Sequence, residues 1–175
     1  MSLLPEKDAL RRYAAALPKV EAPELAGRFL ALPEVERAAT VMAYWGVGWE
    51  LDTAPLIGAL LARGKRVALP RCLPRRGMEA RAITGPEDLQ AGGFGLLEPG
   101  EHCPVVPRQA LDVILVPNVL CDRENYRLGQ GGGYYDRFLA GYEGFTVCIC
   151  PGERLVERLP REQCDVPVRL VVTHR

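Results

Sequence analysis

The stretch TVMAYWGVGWELDTAPLIGALLARGKRVALP, residues 40–70, decides the fold of this chain. Its first part, residues 40–47, is apolar and contains β-branched and aromatic side chains, which predicts a buried strand. Asp52 or Thr53 is then the N-cap of a helix with an apolar face, and RVALP at residues 66–70 predicts the next strand. Because a strand, a helix and a second strand follow one another through short connections, the sequence indicates a parallel sheet.

Apolar runs beyond this unit predict further strands, at residues 78–84, 112–117, 145–150 and 168–173. Segments 5–17 and 23–32 predict amphipathic helices. The sequence contains no repeat and no linker long enough to separate domains, which predicts a single domain over residues 1–175. The predicted fold class is α/β, a Rossmann-like three-layer α/β/α sandwich with a mostly parallel sheet. In such sheets ligands bind beyond the carboxyl ends of the strands.

The composition excludes several classes of protein. Lys and Arg number 22 and Asp and Glu number 22, so the formal net charge of +0 argues against non-specific nucleic-acid binding. Charged or turn-forming residues interrupt every apolar run before the length of a membrane span, and the segment 5–8 interrupts the apolar core that a signal peptide needs. The six cysteines include no CxxC pair, which predicts reduced thiols rather than a zinc or redox motif. We therefore expect a cytoplasmic globular protein.

The glycine-rich segment RLGQGGGYYDR, residues 127–137, has the composition of a phosphate-binding loop. Four glycines within residues 129–133 leave backbone N–H groups uncovered, and the N-terminus of a following helix adds partial positive charge. Arg127 supplies a planar cationic donor, and Asp136 supplies a hard oxygen ligand of the kind that binds Mg²⁺ beside phosphates. A plain glycine-rich turn remains the alternative, since the segment matches neither a Walker A loop nor a complete GxGxxG pattern.

A second segment, YWGVGWE at residues 44–50, has the composition of a binding site for an aromatic ligand. Trp45 and Trp49 can form a flat wall for stacking, and the carboxylate of Glu50 can accept two N–H donors from a 2-amino-4-oxo heterocycle. The alternative is that Tyr44 and Trp45 lie in the core and that Glu50 is an acid favoured by the first turn of the next helix.

The remaining polar residues carry weaker signals. Lys7 and Arg11 are four positions apart, so they share one face of the first helix, at the border of its apolar stripe. A solvated basic face is the default interpretation of this pair. Asp165 precedes the last predicted strand and is by default a loop aspartate. His102 and His174 are isolated from other histidines and are predicted not to be metal ligands.

The segment VPNVLCDRENYRLGQGGGYYDRFL, residues 116–139, resembles the signature of the 5-formyltetrahydrofolate cyclo-ligase family. The resemblance extends along the whole chain, and its further matches follow the family order at Lys7, Arg11, 44–53, 64–70, 98–99 and 164–173. The chain departs from the family pattern at Asn118, Cys121, Gln130 and Cys164, none of which removes a charged group of the site.

The resemblance implies an ATP-dependent ligase of one-carbon metabolism with Mg²⁺ as cofactor. Its substrate is 5-formyltetrahydrofolate, and ATP phosphorylates the formyl oxygen of this folate. Attack by N10 and loss of phosphate then give 5,10-methenyltetrahydrofolate, with ADP as the other product. The implied partners are a folate and ATP, without nucleic acid or a membrane, and the expected form is a monomer.

The resemblance also implies a role for each candidate residue. ATP is bound by Lys7, Arg11, Arg127, Gly129, Gln130, Gly131, Gly132, Gly133, Tyr134 and Tyr135. The folate is bound by Trp45, Trp49, Glu50 and Tyr134. Mg²⁺ is held by Asp136 and Asp165, and the catalytic residues are Arg127, Tyr134 and Asp136. The alternative function is a non-catalytic nucleotide- or sugar-phosphate-binding module on a similar sheet. Two features argue against this alternative: the placement of Glu50 beside the aromatic wall, and the two aspartates.

Overall fold

The computed structural model describes residues 4–174. The helices are α1 (Leu4–Ala15), α2 (Pro23–Leu30), α3 (Pro33–Arg37), α4 (Ala54–Ala62) and α5 (Tyr134–Leu139). The strands are β1 (Thr40–Met42), β2 (Arg66–Leu73), β3 (Gly77–Ile83), β4 (Leu89–Ala91), β5 (Leu97–Pro99), β6 (Val105–Val106), β7 (Val113–Leu115), β8 (Leu120–Asp122), β9 (Arg127–Leu128), β10 (Phe145–Ile149), β11 (Leu155–Val156) and β12 (Leu170–Val172). The predicted strand–helix–strand unit is therefore present as β1, α4 and β2.

Within residues 4–174, seven strands form one sheet in the order β12-β10-β7-β1-β2-β3-β6. Neighbouring strands are parallel from β12 through β2, whereas β3 and β6 are antiparallel to their neighbours. The prediction of a mostly parallel sheet is confirmed. The antiparallel edge arises because the short turn Pro74–Arg76 cannot supply a helical crossover, so β3 folds back directly on β2.

Helices cover both faces of this sheet, because side chains along a strand alternate between the faces. Val41 of β1 belongs to the apolar cluster that also contains, from α2 and α4, Leu25, Phe29, Leu56, Ile57 and Leu60. Met42 belongs to the opposite cluster, which contains Leu139 of α5. Full burial of a large apolar side chain contributes about 1.5–3 kcal/mol, so both faces stabilise the sheet. The predicted three-layer α/β/α architecture is confirmed.

Helix α1 packs against a smaller sheet formed by β11, β8 and β9. Their shared apolar cluster contains Ala14, Val119, Leu120, Leu128 and Leu159. Since β9 leads directly into the glycine-rich segment, this packing places α1 beside that segment.

Strand β1 ends at Met42, earlier than predicted, because the chain turns sharply after it. The hydroxyl of Thr53 donates a hydrogen bond to the Tyr44 carbonyl and accepts one from the N–H of Gly46. A Cβ atom on Gly46 would overlap the Leu51 carbonyl oxygen, so the turn requires glycine there. The turn holds the aromatic segment at the carboxyl end of β1.

The predicted helices are present with different ends. Thr53 is the N-cap of α4, but the N–H of Ala54 donates its hydrogen bond to the carboxylate of Asp52, at 3.1 Å. The second predicted helix stops at Leu30, and Pro33 begins the separate α3, since proline is favoured at the first turn of a helix. A membrane-spanning helix is not found among residues 4–174, whose longest helix, α1, has 12 residues.

Candidate functional site

The candidate site lies at the carboxyl ends of β1 and β7, where the chain leaves the sheet. The glycine-rich segment approaches β7 through Arg127, whose Nη1 donates to the carbonyl of Pro117 at 3.3 Å. It approaches the aromatic segment through Gln130, whose side chain lies close enough to the carboxylate of Glu50 to lower the pKa of that group. The structure thus brings together the two segments that the sequence singled out.

Arg11 of α1 lies directly against the glycine-rich segment. Its Nε donates to the carbonyl of Gly129 at 2.8 Å, and its Nη1 contacts the carboxylate of Asp8 at 2.7 Å. Gly131 has a φ of +107°, and a Cβ atom there would lie 3.4 Å from the guanidinium carbon of Arg11. Glycine at this position therefore allows both the backbone conformation and the close approach of the guanidinium.

Lys7 is only 7% exposed, in contrast to the solvated basic face that the helix pattern predicts. Its Nζ lies 2.7 Å from Oδ2 of Asp165 and 3.4 Å from Oε2 of Glu162. Burial lowers the pKa of Lys7, but the two carboxylates, chiefly Asp165, outweigh this effect, so the pKa is raised. The default interpretation of a solvated face is wrong for Lys7, because the side chain is buried. Asp165 lies in a loop, as its default interpretation predicts, and pairs with Lys7 from 158 positions away in the sequence.

The side chain of Arg127 is 4% exposed. Its Nη2 lies 3.5 Å from Oδ1 of Asp136, and its guanidinium carbon lies 5.5 Å from the centre of the Tyr135 ring. In the described part of the chain, the Nε of Arg127 and the hydroxyl of Tyr135 are buried without a hydrogen-bond partner. Buried polar atoms are normally paired, so these two donors fit a site that binds an anionic ligand.

Helix α5, which follows the glycine-rich segment, has only six residues. A helix this short aligns few peptide dipoles, so the expected contribution of its N-terminus to anion binding is small. The positive charge around the segment comes instead from the side chains of Lys7, Arg11 and Arg127.

Glu50 contacts the backbone of its own segment as well as Gln130. The N–H of Val47 donates to its Oε2 at 3.0 Å. Burial raises the pKa of Glu50, and the hydrogen bond from Val47 and the nearby Gln130 side chain lower it, with a net increase. The alternative of a first-turn acid is wrong, since α4 begins only at Ala54 and has no acidic residue in its first turn.

The two tryptophans of the predicted wall are half-buried, and each is already packed on one side. Trp45 contacts the apolar cluster on the α2 and α4 side of the sheet, in which Tyr44 is buried. The guanidinium carbon of Arg154 lies 4.8 Å from the centre of the Trp49 ring. Tyr44 therefore lies in the core, as the alternative predicts, whereas Trp49 is partly covered by Arg154 and by two apolar clusters.

Tyr134 lies in a surface pocket of about 300 Å³ that the sequence did not predict. The other residues around this pocket are Arg75, Arg76, Gly77, Met78, Arg108, Arg137 and Phe138. The four arginines come from the β2–β3 turn, the turn before β7 and α5, so no local spacing in the sequence could reveal them. Their combined charge fits an anionic ligand next to the Tyr134 ring.

Two buried charged residues that sequence reasoning did not assign fix the loops around the site. Arg154 is 1% exposed and donates to the backbone carbonyls of Val119 and Pro18. Asp122 is also 1% exposed, and its hydrogen-bond donors are the backbone N–H groups of Glu124, Tyr126 and Leu159 and the side chain of Arg161. The sequence signal that could have identified Asp122 was its position inside the segment 116–139. No local sequence pattern marks Arg154 as buried.

The sheet and the site together define an α/β protein that gathers cationic side chains around a glycine-rich segment beyond the carboxyl ends of its strands. This arrangement is typical of enzymes that bind phosphorylated ligands. Residues 4–174 match the model of the 5-formyltetrahydrofolate cyclo-ligase family, and the chain belongs to this family. The resemblance that the sequence predicted is confirmed, and with it the class of enzyme, a ligase.

Individual relatives agree with this assignment. The chain is 35% identical over 156 residues to the 5-formyltetrahydrofolate cyclo-ligase of Escherichia coli (strain K12), with 86% of each chain covered. It is 36% identical over 147 residues to that of Mycolicibacterium smegmatis, covering 77% of this chain and 73% of the relative. The NMR structure of Aquifex aeolicus 5,10-methenyltetrahydrofolate synthetase matches with a TM-score of 0.82 and 32% identity, covering 98% of this chain and 90% of that one.

Proposed function

We propose that the chain converts 5-formyltetrahydrofolate to 5,10-methenyltetrahydrofolate, with conversion of ATP to ADP and phosphate. Family membership supports the reaction. The observation that carries the site is the proximity of Glu50 to Gln130 and Tyr135, which places a carboxylate suited to a pterin beside a phosphate-type loop. A reaction between two substrates needs adjacent binding segments, because holding the reactants together supplies much of the rate.

The proposed chemistry turns the formyl oxygen into a good leaving group. The γ-phosphoryl group of ATP passes to the formyl oxygen, and ADP leaves. N10 then attacks the formyl carbon and loses its proton, and the bond between that carbon and the oxygen breaks with release of phosphate. No protein nucleophile is needed, so the residues act by positioning the substrates and stabilising charge.

At the ATP end, the side chains of Lys7, Arg11 and Arg127 bind the phosphates. Backbone N–H groups of the glycine-rich segment contribute further donors, from Gly129, Gln130, Gly131, Gly132, Gly133, Tyr134 and Tyr135. The contact of Arg11 with Gly129 supports this assignment, because it already places one cation on the segment. The unpaired Nε of Arg127 supports it further.

The carboxylates of Asp136 and Asp165 fit Mg²⁺ by their chemistry, since this ion prefers hard oxygen ligands. Each of them already faces a cation, Arg127 at 3.5 Å and Lys7 at 2.7 Å. When these cations turn to the phosphates of ATP, Asp136 and Asp165 are free to hold the metal. Bound Mg²⁺ neutralises charge on the transferring phosphoryl group.

Asp136→Asn tests the metal assignment, because the amide has the shape of the carboxylate without its charge. We expect turnover to fall by about 100-fold or more, on the scale of losing one preorganised electrostatic contact, while the melting temperature stays close to that of the wild type. Turnover is measured as a function of Mg²⁺ concentration, with Glu157→Gln, an exposed carboxylate, as the control. Wild-type turnover at limiting Mg²⁺ would overturn the role of Asp136.

At the folate end, Glu50 accepts hydrogen bonds from the 2-amino group and the neighbouring ring N–H of the pterin. The available edges of Trp45 and Trp49 lie along the same ring. Tyr134 contacts the rest of the folate, and the arginine-lined pocket around it supplies charge for the carboxylates of the glutamate end.

The deciding experiment mixes the protein with 5-formyltetrahydrofolate, ATP and Mg²⁺ and follows absorbance in the near ultraviolet, where the methenyl product absorbs and the substrate does not. We expect an increase that requires ATP and is absent without protein. Binding of ATP with no increase in absorbance would instead favour a non-catalytic phosphate-binding module.

We further propose that the chain acts in the cytoplasm as a monomer. All six cysteines lie within the described range as free thiols, which suits a reducing compartment. Light scattering of the purified protein tests the monomer, for which the expected mass is 19.3 kDa.

A further inference from the structure

The β4–β5 hairpin brings three side chains together that are separated in the sequence and that the proposed reaction does not use. Asp88 stands directly before β4, and His102 and Cys103 follow β5. The antiparallel pairing of these strands sets their outer ends side by side, and the N–H of Gly100 donates to the carbonyl of Asp88 at 2.9 Å. The hairpin backbone therefore fixes the distance between Asp88 and the two residues that follow β5.

The ligand atoms of these side chains converge on one point. Nε2 of His102 lies 3.0 Å from Oδ1 of Asp88 and 3.6 Å from Sγ of Cys103. All three atoms lie within 4.8 Å of one another. Two ligands bound tetrahedrally to one zinc ion, at the usual bond lengths, are about 3.3–3.8 Å apart. The distance from His102 to Cys103 falls in this range, and the distance from His102 to Asp88 would have to lengthen slightly to admit an ion.

The same distances argue against a catalytic Cys-His-Asp triad. In a triad, the carboxylate binds one nitrogen of the imidazole and the nucleophile faces the other. Here a single nitrogen, Nε2 of His102, faces both the carboxylate of Asp88 and the thiol of Cys103. An ion lying between the three ligand atoms would contact all of them.

Neighbouring groups orient two of the three ligands. The N–H and the hydroxyl of Thr84 donate to Oδ2 of Asp88, at 2.7 and 2.9 Å, which leaves Oδ1 directed at His102. Arg81 donates to the carbonyl of Cys103 at 3.0 Å. Supporting hydrogen bonds of this kind are typical of metal ligands.

The protonation states and the exposure of the three residues are compatible with uptake of a cation. Hydrogen bonds from His102, and then from Thr84, lower the pKa of Asp88 to about 2, so this carboxylate is ionised at neutral pH. A cysteine binds a metal as the thiolate, so uptake of an ion releases the thiol proton of Cys103. The His102 side chain is 65% exposed, which gives an ion access from solvent.

We propose that Asp88, His102 and Cys103 bind a divalent transition-metal ion of the Zn²⁺ type, with a fourth position open to water. Thiolate and imidazole ligands select such ions over Mg²⁺, which prefers oxygen ligands. The site is therefore distinct from the Mg²⁺ ligands of the proposed reaction. By joining both ends of the β4–β5 hairpin, a bound ion stabilises the folded state through its binding free energy.

Cobalt(II) titration of the metal-free protein, in a reductant without thiols, tests this proposal. A thiolate ligand gives Co²⁺ a charge-transfer band in the near ultraviolet, and a tetrahedral site gives it visible bands. We expect saturation at one equivalent in the wild type, loss of the charge-transfer band in Cys103→Ser, and displacement of Co²⁺ by Zn²⁺. We expect His102→Asn to weaken binding by more than about tenfold. Removing only a supporting partner of a metal ligand typically costs about 10–100-fold in affinity, and His102 is a ligand itself.

The matched control is Cys164→Ser. This exposed thiol lies in a second group, with Glu162 and Asp165, in which the ammonium group of Lys7 already occupies both carboxylates. We expect the cobalt spectrum of Cys164→Ser to match that of the wild type. A band that persists in Cys103→Ser, disappears in Cys164→Ser, or is absent from the wild type would overturn the proposal.

His102→Asn keeps the test valid if the buried Cys103 proves necessary for folding, because the exposed His102 side chain can be replaced without a packing defect. Zn²⁺ should raise the melting temperature of the wild type and of Cys164→Ser by the same amount, and that of His102→Asn by clearly less. An equal rise in all three proteins would contradict the site even if each of them binds cobalt.

Discussion

Gln130 departs from the family pattern, and its side chain lies beside the carboxylate of Glu50. Burial raises the pKa of Glu50, and the hydrogen bond from the N–H of Val47 and the polar side chain of Gln130 offset part of this increase. A hydrogen bond to the charged form of a group favours that form. Gln130 therefore helps to keep Glu50 ionised and ready to accept two donors from a pterin.

We expect Glu50→Gln to weaken folate binding more than ATP binding. An amide accepts only one of the two pterin donors and opposes the other with its own N–H groups. Hydrogen bonds to charged groups contribute about 1.5–3 kcal/mol, so the affinity for folate should fall by about one to two orders of magnitude. Calorimetric titration with each ligand measures the difference, and equal losses for both ligands would indicate a structural role for Glu50.

Lys7→Ala should raise the KM for ATP and also lower the melting temperature. The helix pattern alone predicts little effect on stability, but the ammonium group is buried against Asp165 at 2.7 Å. Its removal leaves that carboxylate without its cation, at a cost of about 1–3 kcal/mol. Arg12→Ala is the control, because this exposed residue of α1 should change stability by under about 0.5 kcal/mol. An unchanged KM with a lower melting temperature would make Lys7 a purely structural residue.

The glycine-rich segment and α1 depend on each other, since Arg11 occupies the space beside Gly131. Gly131→Ala places a methyl group 3.4 Å from the guanidinium carbon of Arg11, at a φ of +107°. Backbone strain of this kind costs about 1–3 kcal/mol. We expect a lower melting temperature and a KM for ATP that rises severalfold.

The control for this substitution is Gly27→Ala in α2, where a Cβ atom meets open space. Alanine in the middle of a helix is favoured over glycine by about 0.5–1 kcal/mol, so this variant should gain stability and keep its KM for ATP. If Gly131→Ala kept the wild-type KM for ATP, the glycine-rich segment would have no role in nucleotide binding.

The elements that the sequence predicted correctly are those with local signals. The apolar run at 40–47, the helix after Thr53 and the strand at 66–70 each follow from neighbouring residues, and the structure contains all three as β1, α4 and β2. The antiparallel direction of β3 did not follow, because it depends on the length of a turn rather than on strand composition.

The candidate site was predictable in its segments but not in its pairings. Glycines and tryptophans mark residues 44–50 and 127–137, whereas the burial of Lys7 depends on Asp165, 158 positions away. The same limit applies to His102, which stands alone among histidines and gains its neighbour Asp88 only through a hairpin. Contacts between distant residues leave no periodic pattern in a single sequence.

The stability of the whole molecule should depend on pH through Asp122. Burial raises the pKa of this carboxyl, but hydrogen bonds from Leu159, Arg161 and other donors outweigh burial, so the pKa lies below its ordinary value of 3.8. A lowered native pKa contributes stability that is present above the ordinary pKa and is lost as the pH falls through the native pKa. Asp122 therefore stabilises the fold at neutral pH and ceases to do so in acid.

Asp122→Asn should lower the free energy of unfolding at pH 7 by about 1–3 kcal/mol, the cost of leaving buried donors unpaired. The difference from the wild type should shrink as the pH falls below the ordinary value of 3.8. Urea unfolding at neutral and acidic pH measures it, with the exposed Glu157→Gln as a control. If the difference in unfolding free energy between variant and wild type stayed constant at acidic pH, the lost stability would come from altered geometry rather than from the lost charge.

The ion pair of Lys7 with Asp165 also determines when α1 can complete its contacts during synthesis of the chain. The ribosome adds about 5–20 residues per second, so residue 165 emerges roughly 8–30 s after residue 7. During that interval a nascent chain can form α1 and the early strands, but Lys7 lacks the carboxylate that holds it. Helix α1 is therefore held at Lys7 only after β1 to β11 have been synthesised.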